Sequence, residues 1–249
     1  MTPKELLFAH RYPEAVEAYQ SHLRQHPEQN YHGGLGDALL CTGNFSDAAA
    51  AFRTANDIEH RELKESSPFI NQIGTAMWLA GDKRGAMTEW RRAVDGILDG
   101  SIQYGNMAGG ASQGLLLWYA AVTLKDSGEH EYALKYLDRL KRKKVYLAEA
   151  WPRPVVAMVL GEKSLPEILA SGIGSPDLGT CIQVARTDLL KRRFLFQALF
   201  YRACREREAG NESACMEKMR ACFHLENPII EVEWYLARGE CSKIAASPM

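Results

Sequence analysis

Gly43-Asn44-Phe45-Ser46-Asp47-Ala48-Ala49-Ala50-Ala51-Phe52-Arg53-Thr54-Ala55 is spelled again, with substitutions, further down the chain. Copies start at Gly81 (Gly-Asp-Lys-Arg-Gly-Ala-Met-Thr-Glu-Trp-Arg-Arg-Ala), at Gly128 (Gly-Glu-His-Glu-Tyr-Ala-Leu-Lys-Tyr-Leu-Asp-Arg-Leu) and at Gly210 (Gly-Asn-Glu-Ser-Ala-Cys-Met-Glu-Lys-Met-Arg-Ala-Cys). Each begins with a glycine that ends one helix. A small residue follows five positions later, a bulky apolar one nine later, and a small or apolar one twelve later. A unit that recurs in this way cannot bury its apolar face alone, so it stacks on its neighbours. In such a chain function resides in surfaces more than in a catalytic cluster.

Working outward, each copy predicts a helix pair. Leu35, Gly36 and Leu39 form the seam of an inner helix that Gly43 closes; Ala48, Phe52 and Ala55 form the seam of the outer one. Ile70, Ile73, Gly74 and Met77 lead through Gly81 to Ala86, Trp90 and Ala93, and Leu117, Ala120, Ala121 and Leu124 lead through Gly128 to Ala133, Leu137 and Leu140. The i, i+3, i+4, i+7 spacing is that of an amphipathic helix. Small residues at Gly36, Gly74, Ala121, Ala48, Ala86 and Ala133 let paired helices approach while the large neighbour fills the groove.

Aligned on the small residue of the outer helix, the units fall at Ala15, Ala48, Ala86, Ala133 and Cys215, with separations of 33, 38, 47 and 82 residues. The glycine, alanine and aromatic positions resemble the tetratricopeptide repeat family, whose period is about 34 residues. The resemblance covers 29–98, 114–145 and 196–227, and extends incompletely over residues 1–28, where the first inner helix is cut short. It implies an all-α fold, an α-α superhelix of about five to six helix pairs with a concave groove. On that reading 1–249 is a single repeat domain, with regular repeats in 1–145, irregular helices in 146–195, and a final repeat and C-terminal cap in 196–249. In the irregular segment, Pro152, Pro154 and Pro166 open short helices, as suits first-turn positions. The C-terminal half also looks loosely like bacterial periplasmic tetratricopeptide lipoproteins, adaptors for proteases and cell-wall hydrolases. No lipoprotein signal is read at the N-terminus, so neither that compartment nor those partners carry over. The glycine-rich stretch 99–113 reads as a long loop that could line a site or cover a small molecule near Trp118 and Tyr119.

Composition narrows the function. Lys and Arg total 30 against 31 Asp and Glu, so no net charge draws the chain to nucleic acid or an anionic membrane. No stretch reaches the roughly 20 apolar residues of a bilayer span. Six cysteines without a Cys-x-x-Cys pair fit reduced core thiols in a cytoplasmic protein. His22 and His26 stand i, i+4, but Leu23 occupies the place where a zinc-protease helix carries glutamate, so no metal site is read. Gly33, Gly34 and Gly36, and Gly105, Gly109 and Gly110, follow no strand and precede no Gly-Lys-Ser/Thr, which leaves no nucleotide loop. Gly33 and Gly34 weaken a helix by about 1 kcal/mol each relative to alanine, without an evident reason at this level. The basic runs Lys141–Lys144 and Lys191–Arg193 lack interleaved aromatic residues and read as solvated helix ends more than as a nucleic-acid surface.

Offsets within the aligned repeats direct Asn71, Thr75 and Trp78 of one unit, and Trp118 and Val122 of the next, into the groove, with Asp37, Phe200 and Arg207 at comparable positions. Aromatic anchors among a few polar groups suit a protein-binding face. The alternative is that Trp78 and Trp118 simply fill the interior. The carboxylate-capturing members of the family carry lysine and asparagine at inner positions; Asp37, Asn71, Thr75 and Trp118 disfavour that ligand. The expectation is therefore a non-enzymatic binding scaffold without cofactor, holding another protein in its concave face. A narrower version is an immunity protein that neutralises a cognate toxin or enzyme; an adaptor or regulatory scaffold is the alternative.

Overall fold

The computed structural model describes residues 1–27, 30–63, 69–102, 110–142, 151–229 and 231–245. The described residues form fourteen helices and no strand. They divide into two compact units, Met1–Tyr104 and Gly105–Met249.

The N-terminal unit contains α1 (Pro3–Phe8), α2 (Tyr12–Gln25), α3 (His32–Thr42), α4 (Phe45–Leu63), α5 (Ile70–Leu79) and α6 (Lys83–Asp99). Each helix packs on the next, and α1 also touches α3. Gly43 caps α3 in the left-handed conformation at φ 86°, so the chain reverses into α4 within two residues. Asp82 starts α6 by accepting the Gly85 amide at 2.9 Å. The seam is built from glycine facing ring. A Cβ placed on Gly36 would stand 2.6 Å from the Phe52 ring, and one on Gly74 would stand 2.6 Å from Trp90. Phe52, Trp90 and the alanines Ala48, Ala55, Ala86 and Ala93 have no exposed surface. Gly33 and Gly34 find their reason here: the Phe69 ring lies against the first and the Tyr19 ring against the second.

The C-terminal unit contains α7 (Ala111–Leu124), α8 (Ser127–Arg142), α9 (Arg153–Val159), α10 (Leu165–Gly172), α11 (Leu178–Thr187), α12 (Leu189–Glu208), α13 (Glu212–Phe223) and α14 (Val232–Ala245). Its centre is α12, which packs against α7, α9, α10, α11, α13 and α14. The run Leu195, Phe196, Gln197, Ala198, Leu199, Phe200, Tyr201 is buried all round. A helix apolar on every side belongs in a core, not on an open face.

Two details differ from the reading by repeats. Gly128 does not end a helix; it lies inside α8, and the break falls at Lys125, which caps α7 with φ 55°. The glycine that receives a ring in this pair is consequently Gly114, against Tyr136 and Leu137. The stretch 99–113 is shorter than a loop of that length, because α7 begins at Ala111 behind Gly110; residues 103–109 lie outside the described residues. The prolines behave as read: Pro154 and Pro166 sit in the first turns of α9 and α10. Five of the six thiols are buried and none is in a disulfide. No helix among the described residues is long and apolar enough to cross a membrane.

Candidate functional site

The residues expected in the groove do not share one environment. In the N-terminal unit, Thr75 has no exposed surface and Trp78 almost none; its indole leans on Trp90 with centroids 5.8 Å apart, under the Lys83 ammonium. Asn71 and Asp37 are half-buried, and Asn71 Oδ1 is a buried acceptor without a partner. In the C-terminal unit, Trp118 and Phe200 have no exposed surface. Helix α9 lies on both α7 and α12, and α10 also packs on α12, so these two helices are not left as an open solenoid face. These two rings are core: Phe200 packs on Tyr119 and Tyr201, and neither Trp118 nor Phe200 offers surface to a guest.

The structure does bring Val122 and Arg207 together. Both line a cleft of about 790 Å³ whose wall is made by two helix-pair turns, Thr123–Ser127 between α7 and α8 and Glu208–Glu212 between α12 and α13. His130 of α8 and Glu240 of α14 complete it. Ala121 and Val122 supply apolar surface; Lys125, Arg207, Asp126, Glu208, Glu212 and Glu240 supply charge.

Arg207 organises the floor. Its Nη2 donates to Glu240 Oε2 at 3.1 Å and to Glu212 Oε1 at 2.6 Å, and its Nε donates to Glu212 Oε2 at 3.0 Å. Nη1 makes one long contact, 3.4 Å to Thr123 Oγ1. Glu240 also accepts from the Tyr119 hydroxyl at 3.0 Å. Burial works against the Arg207 charge, but the two carboxylates outweigh it and hold the guanidinium above its usual range. Burial, reinforced by Glu240, likewise pushes the Tyr119 phenol well up, so it stays a neutral donor. The pairs are unequal: the Glu240 side chain is 8% exposed and that of Glu212 58%. The first is structural; the second can be exchanged for a partner from outside at little cost.

The remaining acids are engaged as well. Glu208 meets His130 Nε2 at 2.5 Å and also pairs with Arg205. Asp126 caps α8 by accepting the Glu129 amide at 3.2 Å. Lys125, exposed at the rim, forms no ion pair with any described residue. Ser127 lies three residues from His130 in the same cleft, yet no hydrogen bond joins them, so a nucleophile–base contact is not assembled. Of the residues expected in a concave groove, Val122 and Arg207 line this cleft; Lys125, Glu212 and Glu240 were not among them. Glu240, an acid that follows the apolar run Trp234–Ala237 in α14, was the available signal.

The chain matches no family model and no curated protein. Its cleft therefore carries the functional argument unaided.

A second polar cluster in the C-terminal unit is buried at its acids and open to solvent at Arg193. Glu231 and Glu233 are both buried, and the Gln197 amide donates to each, at 3.0 and 3.3 Å. The Tyr201 hydroxyl donates to Glu233 at 3.0 Å, Arg193 pairs with Glu231, and the Trp151 indole donates to Gln197 Oε1. Burial first, and the charge of Glu231 second, raise the Glu233 carboxyl to about 7. The cluster ties α12, the start of α9 and the start of α14 together and does not line the described cleft.

Proposed function

We propose that this protein is a non-enzymatic binding protein of tetratricopeptide type, and that it holds a segment of a partner polypeptide in the cleft between the α7–α8 and α12–α13 turns. The observation that carries the reading is the cleft's construction. The last turn of α7 presents Val122 beside an anchored guanidinium and an unengaged ammonium. A surface ordered in advance lowers the ordering cost of association, and its mixture of apolar wall and charged rim is that of a protein-binding patch. The volume falls within the usual range of ligand-sized pockets.

The test is capture. Immobilised wild-type protein should retain a defined polypeptide from its native host, and Val122→Arg should lose it with helical circular dichroism unchanged. Equal retention by Val122→Arg would remove the cleft from the account. Co-expression with a captured toxin then separates neutralisation from mere tethering, since only the former restores growth.

A further inference from the structure

The N-terminal unit contains a carboxylate without a counterpart. Asp37 sits half-buried on α3, and it makes no hydrogen bond or ion pair with any described residue. Burial alone lifts its carboxyl to about 7, with no cation acting on it. A desolvated carboxylate is relieved either by a proton or by a cation supplied from outside.

The groups around it decide between these. The Tyr19 ring of α2 lies on Gly34, so close that a Cβ there would stand 2.5 Å from the tyrosine oxygen. Gly34 and Asp37 are i, i+3 on α3 and share a face. The charge of Asp37, after burial, raises the Tyr19 phenol, as a carboxylate on the same side of α3 would. The Tyr31 ring is centred 6.4 Å from Tyr19 and stacks on His22 at 5.2 Å. His22 Nδ1 is buried without a partner. The corner thus offers a carboxylate, an unengaged imidazole nitrogen and two aromatic rings. Aromatic faces attract ammonium and guanidinium groups, and such groups bring only donors, three in lysine and five in arginine. No set of three metal-binding side chains occurs among the described residues, which favours an organic cation over a metal ion.

We propose that this corner of the N-terminal unit receives a basic side chain, lysine or arginine, of a partner polypeptide, with Asp37 as its counter-ion and Tyr19 and Tyr31 as its walls. It extends the polypeptide-binding reading to a second surface and shares no residue with the cleft of the C-terminal unit.

The experiment uses the full chain and two fluorescein-labelled, terminally blocked peptides, one alternating glycine with arginine and one alternating glycine with glutamate, followed by fluorescence anisotropy. The arginine peptide should bind wild type and Asp47→Asn alike, because exposed Asp47 carries the same charge change at a remote place. It should bind Asp37→Asn at least about tenfold more weakly, as befits loss of a charged hydrogen bond. The glutamate peptide should not bind. Asp37→Asn removes a desolvated charge and folds at least as well as wild type, which helical circular dichroism checks. Binding of the arginine peptide to Asp37→Asn within twofold of wild type, or no binding to wild type at all, overturns the proposal. Val122→Arg keeps the two readings apart: it should leave the arginine peptide bound, so a failure at Asp37 leaves the cleft standing.

Discussion

Replacing Glu233 by glutamine should make the protein more stable at pH 8 and leave it almost unchanged at pH 5. The wild-type carboxyl titrates at about 7 in the folded chain, against an ordinary value of 4.5. The folded state therefore holds the proton more tightly than the unfolded one between those limits. Stability contributed by that proton is fully present below about 4.5 and is lost as the pH climbs through about 7. The gap corresponds to about 3 kcal/mol. Groups facing Glu233 sharpen the sign. Tyr201 and Gln197 are neutral donors, Glu231 is a second acid two residues away, and Arg193 pairs with Glu231. Glutamine keeps an acceptor for the Tyr201 hydroxyl and removes the like charge beside Glu231. Urea unfolding, followed by tryptophan fluorescence, measures the effect. With a slope of about 1–3 kcal/mol per molar urea, the midpoint of Glu233→Gln at pH 8 should exceed wild type by on the order of 1–2 M. Wild-type stability should decline from pH 5 to pH 8, and the variant's should decline less. A variant less stable than wild type at pH 8, or one with the same pH slope, would refute the picture of a carboxyl kept protonated by burial.

Two further outcomes follow from the packing. Gly74→Val should lower the thermal midpoint, because its Cβ meets the fully buried Trp90 ring, an overpacking that costs about 1–3 kcal/mol; an unchanged midpoint would show that the seam of α5 and α6 has slack. Arg207→Met should destabilise by about 3–5 kcal/mol, since it strands Glu240 in the interior, whereas Glu212→Gln should cost under about 1 kcal/mol; denaturant midpoints for the pair check the contrast.

What could be read from the sequence was local. The triplets Gly43–Ala48–Phe52, Gly81–Ala86–Trp90 and Gly210–Cys215–Met219 foretold turns and seams because each rests on steric rules that act within one helix pair. The fourth triplet misled. A lysine in the left-handed conformation leaves no trace in composition, so the break at Lys125 hid behind the more conspicuous Gly128 three residues on. For Trp118 the sequence left groove and interior both open, and the interior is where it lies; the core role of Phe200 was illegible because it depends on the six helices that pack on α12, which its own periodicity does not encode. The cleft itself was not read from the sequence: repeat offsets singled out Arg207 and Val122 for a concave groove, and Glu240 reaches Tyr119 across 121 residues of chain, beyond any spacing rule. Asp37 was visible as an inner polar residue; that it stands unpaired beside Tyr19 required the packing of α2 on α3.

Site-specific photo-crosslinking in living cells of the native host addresses the central claim most directly. A benzophenone amino acid in place of Val122, on the cleft wall, should give one discrete adduct with another polypeptide on irradiation. The same probe in place of Glu131, whose side chain is 69% exposed on α8 outside the cleft, should not. An adduct at 122 alone is the predicted result; no adduct at 122, or equal adducts at both positions, would contradict the claim that this cleft holds a partner chain.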